Sequence, residues 1–166
     1  MKILHTSDLH IGIRIYEYSM LEEQKHVLEQ IVEIARREQT DVTIIAGDVY
    51  DRSIGSDEAI GLFDDFLASL VGAGQKVIVI SGNHDSAERV AYGNRIMCHS
   101  GVFMSPVYSG HIEPIVLSDA HGNVNFYPIP FVRPANVEMF FPESDLSTYS
   151  DAMASVVGEC HVDVNQ

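Results

Sequence analysis

Basic side chains are scarce. Ten Lys and Arg face 24 Asp and Glu, a formal net charge of −14 over 166 residues. Nucleic-acid binding through a broad basic surface rests on neutralising phosphates, so this balance argues against that mode. It suits a site that gathers carboxylates around cations. Cysteine is also scarce: Cys98 and Cys160 stand in no CxxC spacing, which suggests neither a disulfide framework nor a thiolate zinc site. Both read as small buried apolar residues. No run approaches the ~18 apolar residues of a membrane span, and Met1-Lys2-Ile3-Leu4-His5 lacks a signal stretch. Internal repeats and low-complexity tracts are missing too. These absences set the expectation of a soluble protein in a reducing cytoplasm. The length fits one domain with a real core.

What the chain does carry is one plan used three times. Val42 to Ala46 is an apolar, β-branched run that breaks at Gly47 and delivers Asp48 and Asp51. Ile3 to Ser7 runs into Asp8-Leu9-His10, and Val77 to Ser81 runs into Gly82-Asn83-His84-Asp85. Short apolar runs bounded by turn signals read as strands buried on both faces. In open α/β sheets, ligands collect beyond the carboxyl ends of such strands. Metal-type residues at three strand ends are hard to explain by core packing. His5, interior to the first strand, is expected to be a satisfied core histidine.

Helices fill the intervals. Ser19 and Glu22 fit a capping box for a helix to about Glu38, with Leu21, Leu28, Ile31 and Ala35 on one face and Val27 and Ile34 widening the stripe. A second helix is expected over 57–71, carrying Ile60, Phe63, Leu67, Leu70 and Val71, with Gly72 and Gly74 as stops. Asp64 and Asp65 then lie on a solvated face. Ser86 can cap a third helix through about Cys98. Strand–helix–strand order implies parallel crossovers. Beyond Gly101, His111 to Leu117 and Val124 to Ile129 read as a hairpin, with Pro128, Pro130 and Pro134 punctuating its exit and 151–159 helical. The loop from Gly12 to Tyr18 presents Arg14, Tyr16 and Tyr18 beyond the strand ends.

The chemistry follows from residue types. Asp8 and His10, two apart, can chelate one ion in a turn, Asp48 has two oxygens able to bridge two cations, and Asn83 offers a neutral carbonyl oxygen. Mixed carboxylate, imidazole and amide ligation suits manganese, iron or zinc more than a dedicated magnesium or calcium cage. Two ions about 3.5–4 Å apart would activate water and stabilise the entering and leaving oxygens of a phosphoryl transfer. His84 then fits a general acid or a clamp on the phosphate, and Asp85 could orient it. Asp51 is expected to order its loop, holding Arg52 or a backbone donor. Arg14, Arg52 and Arg89 lie beside the motifs, open either to DNA phosphates or to nearby acids. His26, His99, His111, His121 and His161 read as solvated.

Asp8-x-His10, Gly47-Asp48-x-x-Asp51 and Gly82-Asn83-His84-Asp85, in that order, resemble the calcineurin-like metallophosphoesterases. The wording His5-Thr6-Ser7-Asp8-Leu9-His10-Ile11-Gly12, Ala46-Gly47-Asp48-Val49-Tyr50-Asp51, Gly82-Asn83-His84-Asp85-Ser86 and Pro128-Ile129-Pro130-Phe131-Val132-Arg133-Pro134 resembles the SbcD-type DNA-repair nucleases within that superfamily. The resemblance covers most of the chain. It implies an α/β sandwich of α/β/β/α layers, with Asp8 and His10 on a first manganese, Asp48 bridging, Asn83 on a second, and His84 catalytic with Asp85 supporting it. Magnesium, iron or zinc are alternative occupants. It further implies cleavage of DNA ends and hairpins, an SbcC-type SMC-like ATPase as partner, a nucleoid-associated bacterial setting, no membrane, and a homodimer through helices near 57–71 and 87–98.

The chain departs from the family where later motifs supply a lone His and a Gly-His-x-His. His161, in Cys160-His161-Val162-Asp163, matches neither. The expectation is therefore the N-terminal part (1–166) of a longer nuclease, with the second sheet, the capping region and the ATPase-binding tail absent. Two alternatives stand beside the nuclease. One is a phosphomonoesterase or cyclic-nucleotide phosphodiesterase of the same superfamily. The other is a catalytically incomplete part serving dimerisation or scaffolding.

Overall fold

The computed structural model describes residues 1–160; His161 and the closing Val162 to Gln166 lie outside the described residues. The chain runs through β1 (Ile3–Thr6), the two-residue strands β2 (Arg14–Ile15) and β3 (Tyr18–Ser19), α1 (Leu21–Glu38), β4 (Val42–Ala46), α2 (Asp57–Gly72) and β5 (Lys76–Ile80). Two short helices, α3 (Ala87–Val90) and α4 (Asn94–Met97), lead to β6 (Val102–Met104). The hairpin β7 (Ile115–Asp119) and β8 (Gly122–Phe126) follows, then α5 (Pro134–Glu138) and α6 (Tyr149–Glu159).

Four strands form a parallel sheet in the order β1-β4-β5-β6, so the fold is α/β with a parallel central sheet. The hairpin β7–β8 is a separate antiparallel pair. Register aligns Thr6 with Ile45 and Ile45 with Val79. The chain therefore leaves all three strands at one level, and Asp8, Asp48 and Gly82 emerge at the same edge.

Alternation along the strands decides the core. Ile45, Val77 and Val79 join Leu28, Val32 and Ala35 of α1 and Phe63, Phe66, Leu67 and Leu70 of α2 in one buried cluster. A second cluster gathers Tyr108, Ile112, Val132, Val137, Leu146 and Val156 around α5 and α6. Ser56 caps α2 by accepting from the Ala59 amide, and acidic Asp57 and Glu58 occupy its first turn, where the helix dipole favours them. The α6 start carries a reciprocal box between Thr148 and Asp151. Among the described residues no helix is long and apolar enough to cross a membrane.

Several expectations are corrected. β1 is an edge strand, and its outward residues Ile3 and His5 are exposed rather than core, because no layer covers that face there. The capping box at Ser19 does not form: Ser19 pairs with Arg14 in β3, and Met20 precedes α1 without a side-chain cap. On α1, Val32 is buried while Val27 and Ile34 face solvent, since the buried stripe is narrower than the apolar pattern. The helix expected from Ser86 to Cys98 breaks. Ser86 does cap α3, but Gly93 turns left-handed at φ 77°, and Asn94 uses its side-chain oxygen to accept from the Met104 amide of β6. Cys98 is half-buried and Cys160 buried. β6, only three residues long, left no periodic signal.

Leu70 is fully buried where α2 meets the sheet, so Leu70→Ala should destabilise by roughly 2–5 kcal/mol; a urea midpoint unchanged from wild type would contradict that packing. Tyr50 stacks edge-on against Phe63 at 5.6 Å. Burial, then the carboxylates of Asp85 and Asp64, push its hydroxyl up to about 12. An unfolded tyrosine ionises near ~10. The neutral folded phenol thus contributes its stability in full below that pH and loses it as pH rises toward the folded value. Tyr50→Phe should flatten the alkaline fall in unfolding free energy, and equal slopes in the two proteins would count against this origin.

Candidate metal centre

Three residues that leave the strand ends adopt a backbone most side chains avoid. Asp8 (φ 55°), His10 (φ 42°) and Asp48 (φ 50°) are all left-handed, at a cost on the order of 1–3 kcal/mol each. Such conformations persist only where the surroundings over-determine them. Here the β1 and β4 loops continue pairing beyond the sheet: the Asp8 amide donates to the Gly47 carbonyl (3.1 Å), His10 to Asp48 (3.0 Å) and Ile11 to Val49 (2.9 Å). Gln24 of α1 adds three more bonds. Its Nε2 donates to the Leu9 and His10 carbonyls (2.9 and 2.8 Å), and its Oε1 accepts from the Gly12 amide (2.9 Å).

Close backbone approach is built in with glycine. A Cβ on Gly82 would stand 2.0 Å from Asp48 Oδ1, and one on Gly47 would meet the Gly82 Cα at 2.8 Å. The two loops touch because neither residue has a side chain.

The donors converge. His10 Nε2 lies 3.9 Å from Asp8 Oδ1 and 3.9 Å from Asp48 Oδ2, and one ligand atom from each residue falls within 4.8 Å of the others. Atoms each about 2.0–2.2 Å from a shared ion stand at such separations. Asp48 is buried and Asp8 exposed, so the cluster opens on one side. Among the described residues neither carboxylate has a Lys or Arg ion-pair partner. Two anionic groups this close, without a basic partner, are a donor set fitted to a cation.

His84 adjoins this cluster. Its ring meets His10 edge-on at 4.9 Å, its amide donates to Asp48 Oδ1 (2.9 Å), and its Nδ1 lies 3.3 Å from the Asp51 carbonyl. A carbonyl only accepts, so this bond places the ring proton on Nδ1 and leaves Nε2 for other chemistry. The expected pairing of Asp85 with His84 is corrected. Asp85 spends its carboxylate on backbone, accepting from the amides of Gly82 (2.9 Å), Val49 (3.1 Å) and Tyr50 (3.2 Å). The orienting acceptor for His84 is the main chain of Asp51, whose own carboxylate lies 3.9 Å from Arg52.

The other sequence candidates separate. Asn83 is exposed in a cleft shared with Asp85, Phe131 and Arg133. Arg14 and Arg52 line a common cleft with Ile11 and Asp51, whereas Arg89 lies in a different one with Tyr50 and Tyr92. Gln24 was not among the expected residues. Its only sequence signal is a polar side chain one helical turn after the start of α1, which many solvated residues share. Arg133, beside Asn83, belongs to the Pro128–Pro134 stretch but carried no assigned role.

The model of the calcineurin-like phosphoesterase family matches residues 1–151. The D component of the SbcCD nuclease from Staphylococcus epidermidis is 36% identical over 154 residues, covering 92% of this chain and 40% of that protein. Its counterpart in Staphylococcus saprophyticus is 34% identical over 162 residues, covering 97% of this chain and 42% of its own length. The chain thus spans about two-fifths of the length of these curated relatives.

Outer-shell partners of metal ligands typically change affinity by about 10–100-fold when removed. Gln24→Ala should weaken divalent-metal binding by that order, and a titration curve superimposable on wild type would show that the loop holds its left-handed turns unaided.

Proposed function

This chain belongs to the calcineurin-like phosphoesterase family, and from that premise we propose that it is the N-terminal part of an SbcD-type nuclease acting on DNA phosphodiesters at ends and hairpins in repair and recombination. The observation that carries the reading is the convergence of Asp8, His10 and Asp48 at aligned strand ends. The likeness to the D components of two SbcCD nucleases supports it.

In this reading Asp8, His10 and Asp48 would hold one divalent ion, and a second would be held by Asp48 with Asn83, which lies in the adjoining cleft. Histidines of later motifs in the longer protein would complete both. Manganese is the assigned metal, with magnesium, iron and zinc as competitors for the same mixed donors. When bound, the ions supply Lewis acidity at the scissile phosphate and at the attacking water. His84, with its Nδ1 proton held on the Asp51 carbonyl, would as an imidazolium carry a second proton on Nε2 and give it to the leaving oxygen, ending as the neutral Nδ1–H tautomer. Asp85 keeps the two loops together. Arg14 and Arg52 meet the phosphates flanking the cleaved bond.

An SbcC-type SMC-like ATPase is the proposed partner, in the cytoplasm at the nucleoid. Dimerisation is proposed through the 57–71 and 87–98 surfaces, where Ile60, Tyr92 and Ile96 are exposed.

Calorimetric titration with manganese of wild type and Asp48→Ala tests the site, alongside hydrolysis of hairpin DNA, bis(p-nitrophenyl) phosphate and p-nitrophenyl phosphate. Asp48→Ala should lose more than the roughly 10–100-fold typical of an outer-shell change, and diester cleavage should fall with it. Unchanged binding in Asp48→Ala would sink the ligand assignment. Hydrolysis confined to the monoester would move the protein to the phosphomonoesterases.

A further inference from the structure

The β2–β3 hairpin stands beside the candidate metal centre and has no role in holding it. Its pairing, Arg14 with Ser19 and Ile15 with Tyr18, gives it two faces. Arg14 and Ser19 line the cleft that also holds Asp51 and Arg52. Ile15, the cross-strand partner of Tyr18, lines a groove bounded by Ser7 and Asp8. The hairpin thus borders two clefts, one holding a pair of guanidinium groups and the other reaching the rim of the metal cluster.

Its tip is costly twice over. Tyr16 is 95% exposed and Tyr18 78% exposed, so two aromatic rings stand in water. Tyr16 is also left-handed at φ 56°, in a two-residue turn where Gly, Asn or Asp is the inexpensive choice. For a bulky residue that conformation is an outlier, and a ring in solvent recovers nothing by packing. Strain of this kind points toward use.

We propose that this hairpin is a nucleobase-stacking tip: unpaired bases at a DNA end stack on Tyr16 and Tyr18 while their phosphates lie along Arg14 and Arg52. Every base has a π-face, so stacking on exposed tyrosines is indifferent to sequence, and it needs no basic surface. A chain of net charge −14 can hold a nucleic acid this way where broad phosphate neutralisation is unfavourable. The consequence is a preference for frayed, single-stranded or looped ends over continuous duplex. The inference rests on the nuclease reading above.

The test measures binding by fluorescence anisotropy in calcium, comparing a duplex that bears a short single-stranded end with the same duplex carrying abasic sites in that end. Wild type should favour the base-bearing end by about tenfold. Tyr16→Phe should keep that preference. Tyr16→Gly, which relieves the left-handed strain and unfolds no earlier than wild type, should lose most of it, as should Tyr18→Ala. A preference retained in Tyr16→Gly and Tyr18→Ala overturns the proposal. So does a clear drop in the thermal midpoint of Tyr16→Gly, which would assign the ring to packing against further polypeptide. Wild-type protein that binds neither DNA nor manganese overturns the nuclease reading itself. Manganese binding without the base preference overturns the hairpin alone.

Discussion

The constraint on which the rest depends is the contact between Asp48 and Gly82. The Asp48 carboxylate sits where a side chain at Gly82 would have to be, and the next loop residue but one, His84, donates its amide to that same carboxylate. Neither contact is available unless β4 and β5 end level with each other, which their register secures. The helices α1 and α2 bury one face of the sheet and hold that register. The core therefore serves the site through a single geometric requirement: three parallel strands must stop at one height.

That requirement explains why so much was legible. A short apolar run followed by Gly47-Asp48, or by Gly82-Asn83-His84-Asp85, states both the strand and its candidate ligands in one reading. Asp8, His10 and Asp48 converge as their types suggested. What stayed hidden depends on partners distant along the chain or on burial. Gln24 acts on backbone 12 to 15 residues away, and nothing in a helical polar position announces such a target. The apolar pattern of α1 did not distinguish Val32 from Val27, because both are apolar and only the face the helix turns to the sheet chooses between them. His5 and Ile3 look like core until the strand order places them at an edge.

Asp85 shows the limit most clearly. A carboxylate next to a catalytic-type histidine reads as its orienting partner, by analogy with hydrolytic triads. In the fold it does backbone work instead, and a main-chain carbonyl takes the histidine. Sequence adjacency brought Asp85 near His84; the turn between them points the two groups apart. A charged acceptor bonding two or three amides is among the stronger neutral-backbone contacts a protein makes, which suits a joint rather than a proton relay.

The joint also bears on motion. Asp85 spans Gly82 on its own loop and Val49 and Tyr50 on the other, while His84 adds bonds to Asp48 and to Asp51. The two loops are sewn to each other at four points across a few residues. Thermal opening of the sheet edge would carry them as one rigid body, because separating them means breaking all four together. The distance between the Asp48 carboxylate and the His84 imidazole is then insulated from breathing of the surrounding fold, and adjustment to a ligand falls to the other side of the cleft, where the β2–β3 hairpin is closed by two cross-strand pairs.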